Sequence, residues 1–258
     1  MTIVAVLGDC TTTTCVALAA TWPIADPLAD TVIVLEADPS GGSLAAWLDT
    51  PVSPTLGTIV ATVGSDSAIE SVCRTVATMT HRSGSGIRFV AAPVRAVAAR
   101  RAVDEATRRV FPAIAATTDI VAIADIGNPY SADSRISSIA AATIVVHRQE
   151  RASAPAEAVR LERLIELVGQ HPGSTLAIVG DDPFDPTEIV RFVEESVPGA
   201  AAASVTLADD ALAAAVLAGR RGVSAARLRR LPLMRSASVA ALQLSTVFTA
   251  RSTQVSAP

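Results

Sequence analysis

The chain has 258 residues, of which half are apolar, and a formal net charge of −4. This length suffices for one large α/β domain or two small ones. The negative charge excludes a protein that binds polyanions through its bulk charge. All 21 positions occupied by lysine or arginine are arginine, so the chain offers no lysine for any chemistry.

Three cysteines stand at positions 10, 15 and 73, without a metal-ligand spacing or an even disulfide framework. This usage predicts a reduced, intracellular protein. The N-terminus lacks the pattern of a signal peptide. No apolar run reaches the ~18–20 residues that span a bilayer. We therefore predict a soluble, cytoplasmic protein.

Short β-branched runs alternate with alanine-rich stretches along the chain. The runs are almost continuously apolar, which is typical of parallel strands buried on both faces. The predicted strands cover 2–8, 31–37, 87–92, 119–125, 142–147, 175–180 and 202–207. The predicted helices cover 12–22, 41–48, 66–80, 94–110, 131–140, 155–169, 186–196 and 208–218. The alternation predicts a doubly wound, mostly parallel α/β sheet of about seven strands with helices on both faces.

The remaining segments predict loops, a cap and a tail. The segment 49–65 is rich in Pro, Gly, Ser and Thr and predicts a long surface loop. In DPTE at 185–188, the Asp can cap a helix, the Pro occupies its first position and the Glu completes a capping box. No linker separates two units, so we predict one domain over 1–249 and a disordered tail over 250–258.

Polar residues and glycines follow four of the predicted strands. Ligands of open α/β sheets bind at the carboxyl ends of the strands. These residues are Gly8 to Cys15 after the first strand, Glu36 and Asp38 after the second, Asp125 and Gly127 after the fourth, and Gly180 and Asp181 after the sixth. We expect the four loops to converge on one edge of the sheet.

Two of these stretches carry a family resemblance. VIVLEADPSGGSLAAWL at 32–48 resembles the second-strand motif of the MinD/ParA family of deviant Walker ATPases, and TDIVAIADIGNP at 118–129 resembles its Walker B strand. Together with AIVGDDPFDPTEIV at 177–190, the resemblance covers about 2–245 and includes the TadZ/CpaE branch of that family.

The resemblance implies roles for three carboxylates. Asp38 takes the place of the carboxylate that positions the attacking water, and Asp125 takes the place of the Walker B residue that contacts Mg²⁺ through water. Both would be metal-site residues only if Mg²⁺ binds. Glu36 replaces the first Asp of the family's pair.

The phosphate loop is where the resemblance fails. A P-loop reads G-x-x-x-x-G-K-[ST], and the deviant family needs a second lysine. If GDCTTTTC is anchored on Gly8, the second glycine falls on Thr13, the lysine on Thr14 and the hydroxyl on Cys15. With no lysine in the chain, the loop is a degenerate Walker A motif.

The loop residues leave alternatives open. The helix N-terminus and the threonine hydroxyls favour an anion, whereas Asp9 repels phosphate. A bound nucleotide would contact Gly8, Thr11, Thr12, Thr13, Thr14 and Asp181. Without a ligand, Thr11 or Thr12 simply caps the first helix. The nearby Cys10 and Cys15 allow a redox role, because a helix N-terminus can lower a thiol pKa.

The segment 220–235 concentrates basic residues without an acid. Its arginines are Arg220, Arg221, Arg227, Arg229, Arg230 and Arg235. They form a solvated face, contact the backbone of DNA without sequence specificity, or dock to an acidic partner. The last helix lacks a basic row beside its apolar face, so we do not expect membrane association.

These features lead to two functional hypotheses. The first is a pseudo-ATPase that acts as a localisation or scaffold factor for secretion, pilus, division or partitioning machinery. It would work as a homodimer with a further protein partner and without a cofactor. The alternative is an active deviant Walker ATPase of chromosome or plasmid partitioning, which binds ATP with Mg²⁺ and uses an arginine in place of the P-loop lysine.

Overall fold

The structure, a computed structural model, describes residues 3–25, 31–64, 67–117, 120–128, 135–150 and 153–255, with the backbone alone for 23–25 and 247–255. Their eight strands form one sheet in the order β3-β4-β2-β5-β1-β6-β7-β8. The strands are β1 (Ile3–Gly8), β2 (Thr31–Glu36), β3 (His81–Arg82), β4 (Arg88–Val90), β5 (Ile120–Gly127), β6 (Ala142–Arg148), β7 (Ser174–Val179) and β8 (Ala201–Leu207). Every neighbouring pair is parallel except the hairpin of β3 and β4.

Eleven helices accompany the strands in the described residues. They are α1 (Thr11–Ala25), α2 (Leu44–Trp47), α3 (Leu56–Thr62), α4 (Ile69–Thr78), α5 (Ala96–Ala115), α6 (Arg135–Ile139), α7 (Ala154–Gln170), α8 (Pro186–Ser196), α9 (Ala211–Leu217), α10 (Ala225–Arg230) and α11 (Pro232–Val255). Of the helix predicted over 131–140, residues 131–134 lie outside the described part of the chain.

Apolar side chains cover both faces of the sheet. On one face, α1, α9 and α11 bury residues such as Trp22, Leu217 and Leu244. On the other face, α3 to α8 bury residues such as Phe111 and Leu164. The strands between them are apolar on both sides because both sides are covered, and β5 and β7 are buried along their whole length. The predicted doubly wound α/β fold is confirmed.

The prediction of a surface loop over 49–65 was wrong in its second half, which forms α3. Thr55 caps this helix: its side chain accepts from Thr58 N–H, and its own N–H donates to Thr58 Oγ1 at 3.1 Å. Leu56 and Ile59 are fully buried. The composition of the segment is typical of loops, but this local cap and two core contacts are enough to hold a two-turn helix.

The sequence predicts a capping box at the start of α8 and disorder at the C-terminus of the chain. At the start of α8, Asp185 accepts from Thr187 N–H at 2.8 Å, and Glu188 accepts from Asp185 N–H, so the predicted capping box is confirmed. At the C-terminus, the backbone is helical up to Val255, where the sequence predicts disorder from residue 250. Residues 256–258 lie outside the described part, and the domain limits stay a prediction.

Candidate functional site

The carboxyl ends of β2, β5 and β1 are neighbours, and they gather the carboxylates that the resemblance singles out. Glu36 lies opposite Asp125 in the register of β2 and β5. Asp38 packs against Gly127 so closely that a Cβ on this glycine would fall 2.2 Å from Asp38 Oδ2. Parallel strands end on the same edge, and the structure brings these residues together there.

The connection from β1 to α1 consists of two residues, Asp9 and Cys10. It starts at Gly8, which has a φ of +114°. A Cβ on Gly8 would lie 2.1 Å from the carbonyl oxygen of Val146 on β6, so only glycine fits. The N–H of Asp9 donates to the same oxygen at 2.9 Å. The chain therefore enters the helix in one tight turn against β6.

The threonines belong to the first turn of α1, not to the loop before it. A capping residue directly precedes its helix, but Thr11 and Thr12 are already the first two residues of α1. The prediction that one of them caps the helix was therefore wrong. Thr12 Oγ1 instead donates to Asp125 Oδ2 at 2.7 Å. Spacing counted from Gly8 assigns a hydroxyl position to Cys15, but this side chain is fully buried in the core. Because only two residues connect β1 to α1, position 15 lies inside the helix and packs in the core instead of facing a ligand.

Asp125 is buried, with 2% of its surface exposed. Burial raises the pKa of its carboxyl, while hydrogen bonds from Thr11, Thr12 and the Gly127 N–H oppose the shift and the nearby charge of Asp38 adds to it. Asp38 itself accepts from Ser40 N–H at 2.8 Å. These bonds engage Asp125 and one carboxylate oxygen of Asp38 from within the chain.

Glu36 holds two loops together. Its Oε1 accepts from Ser43 N–H at 2.6 Å and Leu44 N–H at 2.8 Å, and its Oε2 accepts from Ala92 N–H at 2.8 Å. Burial raises the pKa of its carboxyl to about 7 against the pull of these bonds, and the charge of Asp125 adds to the rise. The family motif identifies Glu36 only as a replacement for an Asp. Its contact with the loop after β4 was missed, because the sequence does not indicate it.

Asp9 is paired with an arginine that the sequence did not point to. Its Oδ2 accepts from Arg160 Nη2 on α7 at 2.7 Å, and from Arg148 N–H at 3.3 Å. Arg160 also donates through Nη1 to Glu157 Oε2 at 3.2 Å and lies 3.4 Å from Glu150 Oε1. An arginine thus does come to the loop from elsewhere in the fold, but three carboxylates surround it.

A buried histidine continues this network. His147 Nε2 contacts Oε1 of Glu157, which is completely buried, and His147 Nδ1 lies 3.7 Å from Asp9 Oδ2. Glu157 also accepts from Glu150 N–H at 3.1 Å. We call Asp9, His147, Glu157 and Arg160 the loop network. It ties the loop to β6 and α7.

Cys10 and Cys15 have raised thiol pKa values, which is typical of unreactive cysteines. Burial raises the pKa of the Cys10 thiol to about 11, although the positive charge of Arg148 and a hydrogen bond with Thr14 lower it in part. Burial also raises the pKa of Cys15 well above its ordinary value. The helix N-terminus therefore does not activate either thiol, and the structure gives the redox role no support.

A cavity of about 250 Å³ opens between the start of α1 and α9. Its polar lining includes Cys10, Thr13, Thr14, Arg148, Asp209 and Arg220. Arg148 Nη2 donates to both carboxylate oxygens of Asp209, at 3.2 and 3.0 Å, and Asp210 caps α9 through Ala213 N–H at 3.0 Å. Asp181, predicted to contact a nucleotide, is exposed and does not line this cavity.

The arginines of 220–235 do not form one patch. All six are exposed. Arg220 lines the cavity beside the loop, whereas Arg229 and Arg235 line a second cavity against the later turns of α1. The sequence cluster is therefore divided between two cavities.

The described residues offer neither a metal cluster nor a membrane span. Among them, no three or more His, Cys, Asp or Glu side chains are grouped as metal ligands. None of their helices combines the length and apolarity that a membrane crossing requires.

Comparison with known proteins gives a fold but no sequence family. No family model matches the chain, and no curated protein matches its sequence. Among solved structures, a ParA family ATPase from Chlorobium tepidum matches with a TM-score of 0.62 and 13% identity, over 93% of this chain and 98% of that one. MinD in complex with Mg-ADP from Pyrococcus horikoshii matches at 0.56 and 14%, over 94% and 95%.

A third solved structure, the MinC:MinD cell division complex of Aquifex aeolicus, matches with a TM-score of 0.57 and 13% identity, over 95% of this chain and 96% of that one. All three matches extend over nearly the whole of both chains. The identities are low, so the likeness concerns the fold. This chain has the fold of the MinD and ParA ATPases.

Proposed function

We propose that this protein is a MinD/ParA-like pseudo-ATPase, a TadZ/CpaE-like localisation or scaffold factor with a degenerate Walker A motif. One observation carries the proposal: two residues join β1 to α1. A P-loop places four residues between its glycines so that backbone N–H groups can wrap the phosphates. A connection of two residues cannot make that wrap.

The backbone donors near the loop support the same proposal. Asp9 N–H is engaged by Val146 and Thr14 N–H by the Cys10 carbonyl, at 2.9 and 3.2 Å. The hydroxyl of Thr12 donates directly to Asp125, the carboxylate at the Walker B position, and the position that spacing assigns to the Mg²⁺-binding hydroxyl is occupied by the buried Cys15. The residues present therefore do not fit a nucleoside triphosphate with Mg²⁺, and we derive no hydrolytic step.

Charge adds a second argument. The chain has no lysine, and Arg160, the arginine that reaches the loop, is shared by Asp9, Glu157 and Glu150. A phosphate would have to displace carboxylates that already hold the guanidinium. Loss of one preorganised contact to a transition state costs on the order of 10²–10³ in rate, and here two lysines and the loop geometry are missing together.

A protein that does not turn over nucleotide can still act by binding. We propose that it works in the cytoplasm as a homodimer with a protein partner. The solved MinC:MinD complex supports this part, because it is a complex of the same fold with another protein. The proposal needs no cofactor.

The second candidate is the active deviant Walker ATPase of chromosome or plasmid partitioning. Its support is Arg160, which lies where it can replace a lysine once Asp9 releases it. In this candidate, Asp38 would position the attacking water and Asp125 would contact Mg²⁺.

Calorimetry with ATP and Mg²⁺, together with a phosphate-release assay, separates the two. The pseudo-ATPase gives no heat of binding, no shift of Tm at millimolar ATP and no phosphate, because a ligand that binds only the folded state must raise Tm. Turnover that Asp38→Asn abolishes and Asp49→Asn preserves would establish the second candidate instead. Asp49 is a suitable control because it is an exposed carboxylate beyond α2.

A further inference from the structure

Two adjoining cavities of about 390 and 630 Å³ lie where α10 and the start of α11 meet the later turns of α1. They share Ala20, Arg229 and Met234 in their linings. The smaller one also reaches the start of β2 and the hairpin of β3 and β4. Together they form a continuous concave surface, away from the β1–α1 connection.

The charge of this surface has one sign. Four arginines line it: Arg82, Arg88, Arg229 and Arg235. We call the surface with these four residues the arginine groove. Among its described lining residues there is no Asp or Glu. Two of the four, Arg82 and Arg88, come from the hairpin and lie far outside the sequence cluster of 220–235.

One guanidinium of the groove is engaged within the chain, and the other three have no partner among the described residues. Arg88 donates to Thr80 Oγ1, which fixes it in place. The exposed side chains of Arg82, Arg229 and Arg235 form no hydrogen bond or ion pair with any part of the chain that the structure describes. In a chain whose net charge is −4, three arginines that lack a partner in the described part of the chain present a strong local attraction for carboxylates around one hollow.

The floor of the groove is apolar. Val32 and Leu228, which are half-buried, reach its surface, and the buried Ile87, Leu217 and Met234 lie beneath them. Leu228 is half-buried, so its side chain remains accessible from the groove. Burial of apolar area contributes ~25 cal/mol per Å² to binding. The occupant that fits must therefore offer both carboxylates and apolar side chains.

We propose that the arginine groove docks an acidic, amphipathic segment of a partner protein, whose carboxylates pair with Arg82, Arg229 and Arg235 while its apolar side chains cover Leu228 and Val32. The alternative occupant, duplex DNA, matches the charge only. Phosphates of a stiff duplex meet protruding basic side chains and leave an apolar hollow unfilled. Arg227 and Arg230, which are exposed and do not line the groove, are the residues that a duplex would use.

The test measures binding of a short fluorescein-labelled peptide, built of glutamate and leucine in a helical pattern, by fluorescence anisotropy with the full chain. The same peptide with glutamine in place of glutamate, and a labelled DNA duplex, are measured beside it. We expect the acidic peptide to bind best. Arg82→Gln with Arg229→Gln should weaken it at least about tenfold, because hydrogen bonds to charged groups are among the strongest.

Two further variants distinguish the groove from mere charge. Leu228→Ser leaves every charge in place and should still weaken binding of the acidic peptide several-fold. Arg227→Gln with Arg230→Gln should leave the affinity for the peptide within about twofold of the wild type. Arg100→Gln with Arg101→Gln, on the exposed face of α5, is the matched control for two lost charges. Circular dichroism confirms that each variant is folded.

Three outcomes would overturn the proposal. The first is no binding of the acidic peptide at millimolar concentration. The second is equal weakening by the control pair and the groove pair, which would mean bulk electrostatics. The third is tighter binding of the duplex with loss on Arg227→Gln and Arg230→Gln and no response to Leu228→Ser, which would assign the arginines to DNA. None of these outcomes bears on ATP binding, so the pseudo-ATPase proposal stands or fails separately.

Discussion

The edge at the carboxyl ends of the strands and the arginine groove both carry charged residues in an α/β fold, but the two regions use them in opposite ways. At the edge, Asp9 pairs with Arg160, Thr12 bonds Asp125, and Glu36 accepts from three backbone N–H groups. In the groove, Arg82 and Arg229 have no partner among the described residues.

The difference teaches how a charge that the chain uses internally can be told apart from one that remains open to a partner. A charge that the chain already satisfies contributes to folding, and a ligand must compete with its internal partner. A charge without a partner contributes little to folding and keeps its full attraction for a ligand. We therefore expect substitutions at the edge to change stability and substitutions in the groove to change binding.

Glu157→Ala should have the largest effect on stability. It leaves His147 and Arg160 without their buried carboxylate, and breaking a buried pair costs about 3–5 kcal/mol. Urea unfolding followed by circular dichroism measures the free energy of unfolding. Glu162→Ala, on the exposed side of the same helix, is the control and should change it by less than about 0.5 kcal/mol. Equal effects of the two substitutions would show that the loop network does not stabilise the fold.

Glu36 should make stability depend on pH. Burial raises its pKa from 4.5 to about 7, so the folded state holds this proton more tightly than the unfolded state. The stability that the proton contributes is present below pH 4.5 and is lost as pH rises to about 7, by an amount on the order of 3 kcal/mol. Unfolding free energies of the wild type and Glu36→Gln, compared across this pH range, measure it.

The difference in free energy of unfolding between the wild type and Glu36→Gln should change with pH between about 4.5 and 7 and be constant above that range. Glu70→Gln, an exposed carboxylate on α4, should follow the wild type at every pH. If Glu36→Gln also follows the wild type throughout, Glu36 titrates normally.

Thr12→Val should cost about 2 kcal/mol, because it removes the hydroxyl that donates to buried Asp125 and a hydrogen bond to a charged group contributes ~1.5–3 kcal/mol. Thr12→Ser keeps the hydroxyl and should retain most of the stability. Thr13→Val, which changes a side chain that lines the adjacent cavity, serves as the control for shape. A loss in Thr12→Ser equal to that in Thr12→Val would assign the effect to packing.

Arg229→Gln should have the smallest effect on stability, within about 0.5 kcal/mol, because its guanidinium has no partner among the residues that the structure describes. Thermal and urea unfolding of this variant and of Arg160→Gln make the comparison direct. Arg160→Gln should lower stability by several times as much. A loss of more than about 1 kcal/mol in Arg229→Gln would mean that the groove arginine stabilises the fold.

Local signals in the sequence were enough for part of this structure. The capping box at the start of α8 depends on residues within three positions of each other. The meeting of Asp38 and Asp125 follows from the rule that parallel strands end on one edge. Continuous apolar runs identified the buried strands, because each run is a property of adjacent residues.

The rest depends on contacts between distant residues. Arg160 lies 151 positions from Asp9, and Ala92 lies 56 positions from Glu36. No periodicity marks such a pair. The groove was missed for the same reason, since Arg82 stands far from Arg229 in the sequence. Composition misled in 49–65, where a cap at Thr55 and two buried side chains outweighed a loop-like residue mixture.

The tight turn at Gly8 shows that a glycine at the end of the first strand can be required by packing alone, without a phosphate ligand. In this chain its positive φ, and the carbonyl oxygen of Val146 that would lie 2.1 Å from a Cβ, already exclude every other residue. Packing alone would preserve such a glycine after all phosphate chemistry has gone. A glycine at this position is therefore no diagnostic of a nucleotide-binding protein, and the length of the connection that follows it is the better criterion.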